Sequence, residues 1–536
     1  MASKASLYFH TVKNMKPSQI AARLKIMIGI GNSLGVKATG KPLSVQRIAS
    51  PSELDFDPAF LARFPIEDLM QDRVTFLHEG KEINWEKDWE FADKSALWNF
   101  NLHYFEYLLP LVKAWKDTGD KRYLEKTEEI INGWIDANPV GKSPAWASYT
   151  IALRIVTWLS YFGYVERYLT GDFKKKFLES LYTQYDYLSK HLEKDILGNH
   201  YFEDLKGLLL ASLFFKDEAV FQKILQDFEA ECKEEILADG MHFELSPMYH
   251  KIIFEGMLRA AVALRGRTDQ EIEEYLQPML DVAYSFEDGL DRVPLFNDSG
   301  NNVAKSLNAL VSTANNYFNL TPHFRGQLKD SGFYIFERDI NSHRWKLVVD
   351  VGQPGPKYIP GHAHCDAMSF ELFRDGKPAV VNCGTYAYQC KERSFFRSTA
   401  AHNTVMVEGV EQSQCWGVFR LAKRSGVRVI IADESGILME MTDQKGQVVK
   451  RQITFTNRLV VTDRAKGKID SFLHFLTAPE ERDGDLFCEG LKIQCDDKAE
   501  VKIDKQPYSE DYGQKQDITV VQFTGEGTIS YKISPR

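Results

Sequence analysis

The sequence lacks any stretch of about 20 consecutive apolar residues, which is the length a helix needs to cross a bilayer. Even the apolar run 151–165 is interrupted by Arg154. The chain has seven cysteines, an odd number, without a CxxC pair or the spacing of a disulfide scaffold. Near the start, the short apolar run Ile26 to Ile30 is broken by glycine and lacks a cleavage site. These absences predict a cytoplasmic protein in a reducing compartment, without membrane insertion.

The chain also has fewer basic than acidic residues. The 536 residues carry a net charge of −9, and the isoelectric point is near 5.9. This balance speaks against the clustered lysines and arginines of a nucleic-acid-binding protein. It does not exclude a polyanionic substrate, because a local basic groove can exist on an acidic protein. Hydrophobic residues at 44% and charged residues at 26% are typical of a globular protein.

The hydrophobic pattern changes once along the chain. After an N-terminal extension over residues 1–90, residues 91–328 show helical periodicity with short polar turns, which predicts antiparallel helix pairs. In this part, the run 102–109 is predicted as one amphipathic stretch. Residues 329–536 alternate apolar and polar positions between turn clusters, which predicts a large antiparallel β-sandwich. The expected fold class is therefore multidomain, α then β, and a ligand is expected in the groove between the two bodies.

Three segments hold more proton-handling groups than connectors need. The first is Gly198-Asn199-His200-Tyr201-Phe202-Glu203, at the start of an apolar helix, where Asn199 could equally be a plain N-cap. The second is the loop 239–250, which contains two histidines, Glu244 and Tyr249. The third is Gly361-His362-Ala363-His364-Cys365-Asp366. In an extended chain its two histidines and Asp366 share one face, so this segment with a distant histidine could form a zinc site or a set of hydrogen-bonded histidines.

Together these segments resemble the heparinase II/III-like family, which includes polysaccharide lyases of families 12, 15, 17 and 21. The helical half matches the family at 98–105 and 148–158, and the site loops match at 198–200 and 244–250. The β half matches at 361–372 and 397–405. The resemblance implies an incomplete (α/α) toroid followed by an antiparallel β-sandwich. It also implies cleavage of a uronic-acid-containing polysaccharide or oligosaccharide by β-elimination.

The resemblance further implies roles for individual residues. Asn199 and His200 would neutralise the uronate carboxylate, while Tyr249 and His362 would act as acid and base, in an order that depends on the uronate's stereochemistry. Tyr388 would be a second catalytic hydroxyl. Sugar contacts are expected from Asn101, His103, Trp146, Arg154, Glu203 and Asn403. For Trp146 and Arg154, a core ring and a helix-surface ion pair are equally good readings of the sequence.

A structural metal, expected to be zinc, would bind His364, His402 and a carboxylate in the segment after the next strand. That third position is Asn382 here, and asparagine is a poorer zinc ligand than aspartate. Asn382 could bind weakly, Asp366 or Cys383 could replace it, or no metal could bind.

Two other functions remain open from the sequence. A uronate C5-epimerase begins with the same proton abstraction, and a cytoplasmic member could act in capsule or exopolysaccharide metabolism on glycan intermediates. A non-catalytic glycan-binding or assembly protein is the alternative from a different class, although it has no need for Asn199, His200, Tyr249 and His362 together. The sequence does not decide the uronate, its linkage or sulfation, or the oligomeric state.

Overall fold

The structure is a computed structural model that describes residues 3–28, 44–142, 144–267, 271–287, 289–495 and 499–536. Helices fill the first part of the chain. Among the described residues they are α1 Lys4–Val12, α2 Pro17–Met27, α3 Ser52–Asp55, α4 Pro58–Leu61, α5 Ile66–Met70, α6 Ala96–Tyr104, α7 Leu108–Thr118, α8 Arg122–Ala137, α9 Ser148–Val165, α10 Gly171–Leu188, α11 Asn199–Phe214, α12 Glu218–Glu235, α13 Pro247–Leu264, α14 Glu273–Phe286, α15 Leu307–Phe318 and α16 Arg393–Phe396. None of them is long and apolar enough to span a membrane.

Strands fill the second part, and two more form a short hairpin within the first part. They are β1 Arg73–Phe76, β2 Glu79–Glu82, β3 Gln327–Leu328, β4 Phe333–Ile340, β5 His343–Asp350, β6 Phe370–Arg374, β7 Lys377–Val380, β8 Val405–Val407, β9 Cys415–Trp416, β10 Arg420–Leu421, β11 Gly426–Asp433, β12 Gly436–Thr442, β13 Val448–Phe455, β14 Leu459–Phe475, β15 Glu480–Arg482, β16 Asp485–Cys488, β17 Leu491–Cys495, β18 Glu500–Tyr508 and β19 Gln516–Pro535. Short 3₁₀ turns occupy Glu166–Tyr168 and Thr399–Ala401.

The helices form two layers, as expected for an (α/α) toroid. α9, α11 and α13 pack side by side and are buried almost all round, so they form the inner layer. α10, α12 and α14 each follow one inner helix and pack against it. The outer helices α8, α10 and α12 bury mainly one face, as their amphipathic sequences require. The predicted run 102–109 is divided, because Phe105 adopts a left-handed conformation between α6 and α7.

The strands form two main antiparallel sheets. One has the order β3-β4-β5-β6-β7, and the other follows β11-β12-β13-β14-β19-β17-β16-β15, with β8 and β18 pairing at its side. Leu347 and Phe370 from the first sheet share a core with Val449 and Val461 from the second. Two sheets around one apolar core make a β-sandwich. The predicted order, a helical toroid and then an antiparallel sandwich, is confirmed.

Loops from both halves meet at one junction. The helical half contributes the start of α11, the loop before α13 and the loop between α14 and α15. The β half contributes the β5–β6 loop, the segment after β7, and the β18–β19 loop. Gly384 joins two of these segments: its φ is +75°, and its backbone lies so close to the Ser509 carbonyl that a Cβ would clash. The junction therefore brings together residues that are far apart in sequence.

Candidate active site

Asn199 is the first residue of α11 and is buried at the junction. Its side-chain nitrogen donates to both carboxylate oxygens of Glu244, at 3.1 and 2.9 Å, and lies 3.3 Å from Nε2 of His362. The N-cap of the helix is Gly198, so the capping role that the sequence allowed for Asn199 is wrong. Gly198 has a φ of +62°, and a Cβ there would approach Ile359 to 2.8 Å and clash with Glu244. Glycine is needed for this close approach.

His200 lies beside Asn199 but is half-exposed. Its Nδ1 is 3.0 Å from Oε2 of Glu193, and its ring packs against Tyr149 at 4.6 Å. Burial lowers the pKa of the imidazole, but the Glu193 carboxylate more than compensates, so that the pKa is raised above the ordinary histidine value. His200, which follows Asn199 in the chain, therefore keeps its positive charge to a higher pH than an ordinary histidine does.

Three tyrosines form a chain of hydroxyl groups. Tyr249, in the first turn of α13, has its hydroxyl 2.8 Å from that of Tyr388, which is 2.9 Å from that of Tyr512. The ring of Tyr249 lies 4.1 Å from the ring of His362. Burial raises the pKa of all three phenols well above the usual tyrosine value, and the negative charge of Asp298 adds to the effect. Tyr249 therefore keeps its proton near neutral pH.

His362 is held from the side opposite to Asn199. Its Nδ1 lies 2.9 Å from Oδ2 of the buried Asp298, whose carboxylate can only accept when ionised. The proton of a neutral His362 therefore sits on Nδ1, which leaves the lone pair on Nε2, facing the Asn199 amide. An imidazole held in this tautomer can accept a proton at Nε2.

Asp298 also bonds to three other side chains. Its Oδ1 is 2.8 Å from Nε2 of His364 and accepts from Thr385 at 3.3 Å. Arg393 forms a two-pronged ion pair with it, in which Nη2 lies 2.7 Å from Oδ2 and Nη1 contacts Oδ1. Burial alone would raise the pKa of this carboxyl, but Arg393 and the two histidines hold it well below its usual range. Asp298 stays ionised and fixes both histidines.

The metal ligands suggested by the sequence are partly brought together. Among the described residues, His364, Asp366 and His402 form the one group of three such side chains whose ligand atoms lie within 4.8 Å of one another. Nδ1 of His364 is 3.3 Å from Nε2 of His402. Burial lowers the pKa of His364 to about 4 and holds that of His402 well below the usual histidine value, so both rings are neutral, as metal ligation requires. Two imidazoles and a carboxylate fit a zinc ion.

Asn382 and Cys383 have other partners. The side-chain oxygen of Asn382 accepts from the backbone N–H of Asn403 at 3.0 Å, while its side-chain nitrogen is buried without a hydrogen-bond partner. Cys383 packs in an apolar cluster with Phe396 and Ala401, and burial raises the pKa of its thiol. Of the alternatives for the third ligand, the geometry favours Asp366.

The residues predicted to contact sugar form their hydrogen bonds with other groups than the catalytic candidates at the junction. Arg154 is fully buried and donates to Gln184 and to the carbonyls of His103 and Ala145. The Nδ1 of His103 accepts from Trp134, and burial lowers the pKa of this imidazole to about 3. These side chains bond to the interior of the helical half.

The other four predicted contacts are also buried. Asn101 donates to the carbonyl of Leu97, and Trp146 donates to that of Asn138. Glu203 pairs with Lys206 at 2.5 Å inside the helical core. Asn403 donates to the Phe370 carbonyl and accepts from His474. In the structure each of these polar groups has a partner within the protein, and their contact with sugar stays a prediction.

Sequence reasoning missed several residues at the junction. Asp298 could have been found from the sequence, because Asn297-Asp298-Ser299-Gly300 is a polar turn directly after a buried apolar segment. Arg393, Glu193 and Tyr512 carry no such signal, because only the fold brings them to the junction. Phe419, which is exposed and lies 5.1 Å from the Tyr388 ring, likewise carries no signal in the sequence.

Comparison with known families covers nearly the whole chain. Residues 46–325 match the model described as heparinase II/III N-terminus, and residues 322–534 match the model described as heparinase II/III-like, C-terminal. The two matched regions correspond to the helical half and the sandwich.

Curated relatives are more distant. A heparin-sulfate lyase of Pedobacter heparinus is 27% identical over 366 residues, which cover 61% of this chain and 54% of the relative. A heparin-sulfate lyase of Bacteroides stercoris is 26% identical over 420 residues, covering 66% of this chain and 60% of that protein. The chain thus aligns with little more than half the length of these relatives.

Solved structures extend the likeness in fold. A crystal structure of heparinase III superposes with a TM-score of 0.69 at 17% identity, covering 97% of this chain and 92% of that one. The crystal structure of a mutant heparan sulfate lyase from Pedobacter heparinus gives a TM-score of 0.59 at 19% identity, with the same coverage. At these identities the likeness concerns the fold.

Proposed function

The chain belongs to the heparinase II/III family, and from this premise we propose that it is a polysaccharide lyase that cleaves a uronate-containing glycosaminoglycan by β-elimination. One observation carries the proposal. Asn199, Tyr249 and His362 meet at one junction, His200 follows Asn199 in the first turn of α11, and His362 is held in the tautomer that a base requires. The names of the curated relatives, both heparin-sulfate lyases, support this substrate class.

Neutralisation of the uronate carboxylate is the first requirement. The proton on C5 becomes acidic enough to remove only when the adjacent carboxylate is bound by donors or positive charge. The Asn199 amide and the protonated His200 ring are neighbours at the start of α11 and supply both. Glu244 orients the amide through two hydrogen bonds.

His362 is the base in this scheme. Its Nε2 lies 3.3 Å from the amide that receives the carboxylate, and C5 is the atom next to that carboxylate. Nε2 takes the C5 proton, the electron pair forms the C4–C5 double bond, and the bond between C4 and O4 breaks. The imidazolium that forms is stabilised by Asp298 on its other nitrogen.

Tyr249 is the acid. Its raised pKa keeps the phenol protonated at neutral pH, so it can give its proton to the departing O4. The hydroxyl of Tyr388, 2.8 Å away, can then return a proton to the phenolate through the tyrosine chain. Acid and base thus stand on adjacent rings, whose centroids are 4.1 Å apart and whose planes are tilted by 34°, as a concerted or rapidly sequential elimination needs.

A zinc ion would be held by His364, His402 and Asp366, and when bound it would tie the β5–β6 loop to the segment before β8. His364 would keep its hydrogen bond to Asp298, the type of carboxylate contact that orients metal-bound histidines. In this scheme the metal stabilises the loop that carries His362, and His362 itself performs the proton transfer.

A panel of glycuronans tests the activity. The protein is incubated with heparan-type and other glycosaminoglycans, alginate and a bacterial exopolysaccharide, and the unsaturated product is followed by its ultraviolet absorbance. We expect absorbance to rise with a glycosaminoglycan, and Asn199→Ala to abolish most of the rise. Deuterium entering C5 from solvent without cleavage would instead establish an epimerase. Glycan binding with neither outcome would establish a non-catalytic binding or assembly protein.

A further inference from the structure

The first two helices turn their apolar faces outward. Eight of the nineteen exposed large apolar side chains among the described residues lie between Tyr8 and Ile28. In α2 and its C-cap, Ile20, Leu24, Met27 and Ile28 recur at helical spacing, and Met27 is 80% exposed. In α1, Tyr8, Phe9 and Val12 form a similar exposed stripe. A surface helix of a globular protein normally buries this stripe against the core.

The two helices are attached by other side chains. Thr11 of α1 accepts from Trp416 at 3.1 Å, next to the β9–β10 ribbon. Gln19 of α2 is buried and donates to the carbonyl of Ile196 at 3.1 Å. Lys16, between the helices, pairs with Glu234. The attachment therefore fixes α1 and α2 to both halves of the protein, and among the described residues no segment buries the apolar stripes.

The charge of this region differs from that of the rest of the chain. The first 52 residues contain eight lysines and arginines and no aspartate or glutamate, whereas the whole chain has a net charge of −9. Lys4, Lys13, Arg23 and Lys25 lie in or beside the two helices. An apolar stripe flanked only by basic residues is the pattern of a helix that lies in the interface of an anionic membrane.

We propose that α1 and α2 dock the protein reversibly on an anionic lipid surface. With 9 and 11 residues, the helices are too short to span a bilayer, so they lie in its plane. Two copies of the chain would bring like charges together at this face. A sulfated glycan would pair with the lysines but would not bury the apolar side chains of Val12, Ile20, Leu24 and Met27. An anionic lipid surface matches both the charge and the aliphatic side chains.

Vesicle sedimentation of the full chain tests the proposal. The probes are vesicles of phosphatidylcholine alone and vesicles with about one third phosphatidylglycerol, at low and physiological salt. We expect binding to the anionic vesicles that weakens with salt, and little binding to the neutral ones. The combined variant Phe9→Ser, Leu24→Ser, Met27→Ser should bind about tenfold more weakly or worse. The combined control Ile431→Ser, Val448→Ser changes exposed apolar residues of the sandwich and should bind as the parent does.

A second variant keeps the test decisive if the serine variant melts early. Lys13→Gln with Lys25→Gln leaves the apolar stripes in place and should weaken binding by about tenfold or more at low salt. Both helix variants should cleave soluble glycan at the parent rate. The proposal is overturned by equal sedimentation with both vesicle types, or by binding that neither variant reduces. It is equally overturned if light scattering shows a dimer that the serine variant dissociates, or if the variants lose glycan binding while no vesicle is bound.

Discussion

Two of the buried aspartate–arginine pairs among the described residues have the same chemistry but different surroundings. In the sandwich, Arg451 pairs with Asp463 at 2.7 and 2.8 Å and also donates to the carbonyls of Met368 and Asn403. The remaining bond of Asp463 comes from Ser471. At the junction, Arg393 pairs with Asp298, but that carboxylate also accepts from His362, His364 and Thr385.

The comparison shows what makes an interior ion pair functional. Breaking either pair leaves a buried charge without its partner, which costs about 3–5 kcal/mol of stability. Only the junction pair is bonded to groups that can change protonation, and only there do partly exposed tyrosines lie nearby. Asp463 and Arg451 join neighbouring strands of one sheet, and Arg451 also bonds the segments before β6 and β8, whereas Asp298 sets the tautomers of two histidines. Breaking the pair in the sandwich should therefore lower stability alone. Breaking the pair at the junction should also lower the rate of catalysis.

The largest effect on rate is expected from Tyr249→Phe. The change removes one hydroxyl, and acid–base groups of this kind contribute about 10²–10⁴-fold. The rate of unsaturated-product formation should fall by this factor while the melting temperature stays within a few degrees. Tyr107→Phe is the matched control, because Tyr107 is a buried tyrosine whose hydroxyl donates to the Leu102 carbonyl. Turnover of Tyr249→Phe within a few-fold of the parent would remove Tyr249 from the mechanism.

Asp298→Asn and Asp463→Asn together test the comparison itself. Both should lower the melting temperature, because each leaves an arginine without its ion pair. Asp298→Asn should also slow catalysis by about 10–100-fold in the folded fraction, since the amide can present a donor to His362 and disturb its tautomer. Asp463→Asn should leave the rate per folded molecule unchanged. Equal rates in both variants would mean that Asp298 has a purely structural role.

A smaller effect is expected from Glu193→Gln, and it concerns pH. The Glu193 carboxylate raises the pKa of His200, so the ring stays positively charged to a higher pH than an ordinary histidine. The KM of the parent should rise as the pH increases through this raised pKa, because the charge that binds the uronate is lost. In Glu193→Gln the same rise should begin at lower pH. Identical pH profiles of kcat/KM would show that His200 does not act through its charge.

The smallest effect is expected from Tyr512→Phe. Tyr512 contacts Tyr388 and not Tyr249, so it acts on the acid only through an intervening hydroxyl. Loss of one hydrogen bond of about 1 kcal/mol should slow turnover a few-fold and leave KM unchanged. Tyr388→Phe, which interrupts the chain one step earlier, should be slower still. A larger loss in Tyr512→Phe than in Tyr388→Phe would contradict the order of the chain.

Local pattern was enough to predict the order of the fold. The inner helices are long apolar runs, and the outer helices and the strands of the sandwich carry hydrophobic periodicity, so their existence and type follow from the sequence. The break at Phe105 was missed because a left-handed aromatic residue has no signal in an otherwise apolar run. Which loops meet at the junction depends on tertiary packing, and periodicity does not encode it.

The site could be predicted where its residues lie in dense polar motifs. His362, His364 and Asp366 are adjacent, and Asn199 and His200 stand together before an apolar helix. Other site residues are single side chains in ordinary segments, and only their long-range contacts in the fold reveal a role: Arg393, Glu193 and Tyr512. Arg154 shows the converse. The family resemblance implied a sugar contact for Arg154, yet the structure gives it three acceptors in the interior.

The most direct test of the account compares His362→Ala with His364→Ala. These histidines are two residues apart and share Asp298, but the account gives the reaction to the first and the stability of the loop to the second. Product formation, melting temperature and bound zinc are measured on the same preparations. We predict that His362→Ala loses nearly all turnover and keeps its melting temperature and zinc, while His364→Ala loses zinc and melts earlier. Equal losses of rate and stability in both variants would contradict the division of roles at the junction.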